Sequence, residues 1–66
     1  MATEDELRAV EQVVDRLSAK FAHFPSQRVS EVVHAEYRTF DGAPIRDFVP
    51  IMVEKSAADR LARLIA

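Results

Sequence analysis

Helix breakers are scarce in this chain, and their positions limit what the rest of it can become. Among 66 residues there is one glycine, Gly42, and three prolines, Pro25, Pro44 and Pro50. Proline removes a backbone donor and clashes with the preceding turn, and glycine loses the most conformational freedom on folding, so both tend to mark the ends of elements. They divide the chain into three long stretches: before Pro25, from Pro25 to Gly42, and onward from Pro44. Each carries apolar residues at helical spacing.

In the first stretch Leu7, Val10, Val14, Leu17 and Phe21 recur at alternating intervals of three and four, with Val13 widening the stripe. Thr3 followed by Glu6 has the spacing of a capping box, in which each side chain satisfies a backbone N–H at the helix start. Glu4 and Asp5 add acid where the helix dipole favours it. This predicts a helix from Glu4 to Ala22. Ser26 is the expected N-cap of a second helix over Gln27 to Thr39, with Val29, Val32, Val33, Tyr37 and Phe40 on one face. The β-branched residues would also suit a strand, but their spacing is helical and no second strand is available to pair with them. Gly42, in the turn DGAP, is the expected C-terminal cap.

The third stretch sets a harder problem. In IRDFVPIMVEK, residues 45–55, a proline stands amid large apolar residues. A helix begun at Pro44 would place Pro50 too deep and bend the axis. A helix capped by Asp47 brings Pro50 into its first turn, where a missing N–H costs little, and this is the expected arrangement. Ile45, Phe48, Val49 and Met52 point in one direction, whereas Ala57, Leu61, Leu64 and Ile65 centre roughly 150° away. Either the helix bends near Ser56, which with Asp59 could form a second capping box, or the rotated face meets a partner. The i,i+4 pairs Lys55–Asp59 and Asp59–Arg63 favour a continuous helix.

Composition then restricts the function. A chain of this length buries only about 60% of the surface its unfolded form exposes, and domains so small usually need an additional support. Cysteine is absent and there are two histidines, His23 and His34, so disulfides and thiolate metal sites are excluded and no structural zinc site is expected. Helix packing and self-association are the supports left. Nine basic and eleven acidic residues give a net charge of −2, with the signs interspersed. That argues against non-specific binding to nucleic acid or anionic membrane. No apolar run is long enough to span a bilayer. The start, MATEDEL, lacks the basic and apolar regions of a signal peptide, so a cytoplasmic protein is expected.

Few residues invite a catalytic reading. A nucleophile elbow, a glycine-rich phosphate loop and a nucleophilic cysteine are all missing. Glu31 with His34, and His34 with Arg38, stand at helical spacings that could form half a metal site or an acid–base couple, but solvated surface neighbours account for them as well. His23 reads as a loop residue. Arg46 and Asp47 could face a ligand or DNA; the plainer reading makes Asp47 a cap and Arg46 the partner of a carboxylate or a carbonyl. As a DNA-recognition helix the third element would present Asp47, Glu54, Lys55 and Asp59, mixed in sign and lacking the Arg, Asn and Gln that read base edges.

The runs VVDRLSAKFAHFP and VSEVVHAEYRTFDGAPIRDFVPIMVEKSAADRL resemble a bacterial, largely actinobacterial, three-helix bundle dimerization domain. That domain is found N-terminal to low-molecular-weight tyrosine-phosphatase-like arsenate reductases and as stand-alone small proteins. The similarity spans about Val10 to Leu61 and is most specific over Ala43–Lys55, as A-x-I-R-D-F-V-P-x-x-V-E-K. The resemblance implies a homodimerising helical module, with a partner enzyme in trans left open, and no enzymatic activity in this chain, since the family's catalytic cysteine loop has no counterpart here. The expectation is therefore a single all-α domain over residues 1–66, a three-helix bundle running up-down-up. It is expected to self-associate, to need no cofactor or metal and to have no catalytic residues. The interface is expected at Phe48, Val49, Met52, Leu61, Leu64 and Ile65. A small helix-turn-helix-like DNA-binding regulator is the alternative.

Overall fold

The structure, a computed structural model, describes residues 4–40, 42 and 45–65, the last of these for its backbone only. Three helices, α1 (Glu4–Lys20), α2 (Ser26–Thr39) and α3 (Val49–Ile65), each pack against the other two. The architecture is the expected all-α three-helix bundle. Cross-helix ion pairs tie the elements together, Arg16 of α1 to Glu54 of α3 and Arg60 of α3 to Glu36 of α2. No helix among the described residues is long and apolar enough to cross a membrane.

The first two helices end close to where the sequence places them, but by different means. The helical rows of α1 stop at Lys20, and a bond from Phe21 N–H to the Leu17 carbonyl (2.8 Å) and one from Phe24 N–H to Phe21 (3.0 Å) carry the chain into the turn before Pro25. Pro25, and not Ser26, caps α2. With ψ at 144° its carbonyl already points along the new axis and accepts the N–H groups of Arg28 and Val29, so Ser26 becomes the first helical residue and its hydroxyl makes no capping bond. At the far end Phe40 closes α2 by donating its N–H to the Tyr37 carbonyl at 3.1 Å. The helix is thus finished two residues before Gly42, and no described glycine has a positive φ. The left-handed glycine cap is therefore not used. The Thr3 half of the expected capping box lies outside the described residues, as does Pro44.

Pro50 is the second residue of α3. Arg46 O accepts the Val49 N–H at 3.1 Å and Phe48 O accepts that of Met52 at 3.0 Å, so the helix starts one residue later than a cap at Asp47 would give. Phe48 takes the capping position, and the proline sits where backbone donors have no intrahelical partner in any case. Its place in the first turn is as expected; the cap is not.

The core consists of Val10, Val13, Val14, Leu17 and Phe21 from α1, Val29, Val32 and Val33 from α2, and Val49, Val53, Ala57 and Leu61 from α3, with Phe24, Tyr37 and Phe40 packed against it. The α3 set removes the apparent conflict between two apolar directions. Four-residue steps advance the helix by about 400° each, so the stripe drifts about 40° per step and links the direction of Val49 to that of Leu61 through Val53 and Ala57. Burial therefore requires no bend at Ser56, and α3 is one uninterrupted helix.

Leu61 is completely enclosed. Leu61→Ala is expected to cost about 2–5 kcal/mol, a large part of the roughly 3–10 kcal/mol total available to a chain of this length. Phe48→Ala, at an exposed position, should shift the stability of the isolated bundle by no more than about 0.5 kcal/mol. Urea unfolding at low protein concentration measures both.

Candidate interaction surface

The most unusual position in α1 is Glu6, which is 8% exposed while Leu7, on the expected apolar stripe, is 49% exposed. A carboxylate so enclosed needs compensating donors, and they come from the rest of the fold. Tyr37 Oη of α2 donates to Glu6 Oε1 at 2.5 Å. Arg46, from the segment leading into α3, donates Nη2 to Oε1 at 2.6 Å and Nε to Oε2 at 3.2 Å, a two-point guanidinium–carboxylate contact. Its Nη1 donates to the Phe40 carbonyl at 2.6 Å, at the end of α2. Arg46 is thus the partner of both a carboxylate and a carbonyl. Glu6 thus anchors the connection between α2 and α3.

The charges answer one another. Hydrogen bonding from Arg46, and then from Tyr37, holds the Glu6 carboxyl below the ordinary 4.5, against the opposing pull of burial. Burial, followed by the hydrogen bond to Glu6, pushes the Tyr37 phenol above its ordinary 10.0. Glu54 is likewise held down by its hydrogen bonds with Arg16 (2.7 and 3.1 Å).

The anchored segment opens onto an apolar surface. Phe48 is 59%, Ile51 64% and Met52 37% exposed, and Ile45 just before them is exposed as well. At i, i+3 and i+4 they form one stripe, turned away from the Val49–Val53–Ala57–Leu61 core face. An open groove of about 600 Å³ between α1 and α3 runs beside it, with Arg16, Lys20, Ile51, Glu54 and Lys55 among its walls.

Of the six residues expected at an interface, Phe48 and Met52 lie on this stripe and Leu64 is exposed near the C-terminal end of α3, while the Ile65 side chain lies outside the described residues. Val49 and Leu61 are fully enclosed by the bundle and have no surface to offer. The reason is the drift of the core stripe: both lie on its four-residue path. Ile51 was missed. Its signal was present in the spacing, because placing Val53 in the core turns Ile51 outward.

His34 meets neither Glu31 nor Arg38. It lies 3.2 Å from Ser30 Oγ through Nδ1 and 3.4 Å from Glu11 of α1 through Nε2. The Lys55–Asp59 and Asp59–Arg63 pairs do not close either; Lys55 and Asp59 stay exposed, and Glu36 is bonded by Arg60 at 3.1 Å. No group of three or more His, Asp or Glu among the described residues could hold a metal ion. Comparison with protein-family models, curated proteins and solved structures returned no match.

The Glu6 cluster predicts pH dependence at both ends. With Glu6 depressed in the folded state, the unfolded chain binds its proton first, so the contribution is complete above 4.5 and is lost as pH falls through the lower folded value. Glu6→Gln should flatten this acid limb, leaving the part due to Glu54. With Tyr37 raised, the unfolded chain loses its proton first, so that contribution is complete below 10.0 and disappears as pH rises through the folded value. Tyr37→Phe should remove the alkaline limb and cost about 1.5–3 kcal/mol near neutrality. Tyr37 is the only tyrosine and there is no tryptophan, so phenolate absorbance follows it alone, and titration at or below 10.0 in the folded protein would contradict the assignment.

Proposed function

We propose that this chain is a non-enzymatic, cytoplasmic helical module that associates with a second copy of itself through the outward face of α3. One observation carries the reading: Phe48, Ile51 and Met52 stand exposed as a continuous stripe on the side of α3 opposite its core face. Contiguous apolar surface of this kind is characteristic of interaction sites. Two further facts support it. A bundle this small, lacking disulfides, gains most from association, and the Ala43–Lys55 run resembling a bacterial dimerization domain specifies Phe48, with Ile51 and Met52 at its two variable positions. The same resemblance extends the proposal to a phosphatase-like or arsenate-reductase-like protein served in trans. The outward face of α3 argues against the DNA-binding alternative, since its exposed side chains are apolar or of mixed sign where a recognition helix needs donors, acceptors and basic charge.

Association stabilises by mass action, so the midpoint of thermal unfolding should rise with protein concentration, and sedimentation equilibrium should give twice the chain mass at tens of micromolar. Ile51→Glu should give a folded monomer with unchanged helical circular dichroism, because Ile51 is outside the core. A monomeric wild-type chain at that concentration would overturn the proposal, and so would binding of duplex DNA that weakens steeply with added salt.

A further inference from the structure

An exposed apolar face does not by itself fix how two copies meet; the charges at its ends supply that information. The stripe on α3 is bounded by Asp47, in the turn before the helix, and by Lys55, two turns further on. Both are exposed, and among the described residues neither takes part in an ion pair or a side-chain hydrogen bond. Their neighbours are engaged inside the bundle, Arg46 with Glu6, Glu54 with Arg16 and Arg60 with Glu36. An apolar stripe with an unpaired negative charge at one end and an unpaired positive charge at the other is self-complementary under a two-fold axis perpendicular to the helix.

Resting on that self-association, we propose that two copies pair α3 against α3 in antiparallel orientation, about a two-fold axis passing between Ile51 and Met52. Ile51 of each copy then faces Met52 of the other. Phe48 faces Lys55, whose aliphatic stem covers the ring while its ammonium reaches the adjacent Asp47. The symmetry repeats each contact, as an isologous interface requires. Parallel pairing buries the same apolar side chains but sets Lys55 against Lys55 and Asp47 against Asp47, and like charges juxtaposed at an interface oppose association. Glu6 and Arg46 contribute indirectly: by fixing the segment before α3 they hold Asp47 and Phe48 at the end of the stripe.

The chain contains no cysteine, so single-cysteine variants report the geometry directly. Disulfides need closely approaching backbones, which two antiparallel helices offer only near their crossing point. Ile51→Cys and Met52→Cys should each form a covalent dimer under mild oxidation. Phe48→Cys and Lys55→Cys should not cross-link alone, but an equimolar mixture of the two should give the mixed dimer. Lys55→Glu and Asp47→Lys should each weaken association roughly tenfold, and the double variant should recover most of the loss. Self-cross-linking of Phe48→Cys, or a double variant no tighter than the singles, would overturn the antiparallel arrangement while leaving self-association intact. A wild-type chain that sediments as a monomer would remove both.

Discussion

The bidentate contact between Arg46 and the enclosed Glu6 carboxylate organises this bundle beyond its hydrophobic core. Glu6 belongs to α1, Tyr37 to α2, and Arg46 to the segment that enters α3, while the Phe40 carbonyl that Arg46 also engages lies at the end of α2. One carboxylate therefore connects all three helices at a single end of the molecule. An ion removed from water is costly unless its acceptor sites are filled, and here donors from separate parts of the chain fill them. The contact forms only when α1, α2 and the connection before α3 are correctly placed together, which makes it a determinant of register as well as a source of stability.

The consequence reaches α3. Its opening residues could in principle bury Phe48 and Met52, which are larger than the Val49 and Val53 that the core receives. With Arg46 held against Glu6 and Phe40, the chain enters the helix with Val49 directed inward, and Phe48, Ile51 and Met52 are left outside. Pro50 suits this arrangement, since it occupies the first turn where its missing donor leaves no backbone acceptor unpaired. The opening of α3 thus turns the small β-branched Val49 and Val53 into the core and displays the bulkier Phe48, Ile51 and Met52.

Much of the fold could be read from the chain. The α1 stripe of Val10, Val14 and Leu17, the helical spacing of Val29, Val32 and Val33, and the first-turn placement of Pro50 all rest on local periodicity, and all match the structure. Misreadings occurred where tertiary contacts override local preference. Leu7 continues the α1 stripe by spacing, yet Glu6 is the residue turned inward, because donors 31 and 40 residues away make its burial favourable. Ser26 is the better capping side chain, but Pro25 already has the backbone angles that a cap requires. For α3, grouping apolar residues by size obscured the four-residue path from Val49 to Leu61, and with it the outward position of Ile51.

By itself the sequence determined three amphipathic helices, their approximate ends and the absence of any cysteine to cross-link them. These follow from local backbone sterics and composition. Only the tertiary structure decided which apolar residues of α3 are core and which are surface, and that Arg46 is the counter-charge of Glu6. A helical period defines faces but not their absolute direction; that rotation is set by what the helix packs against, and the packing depends on contacts distant in the chain.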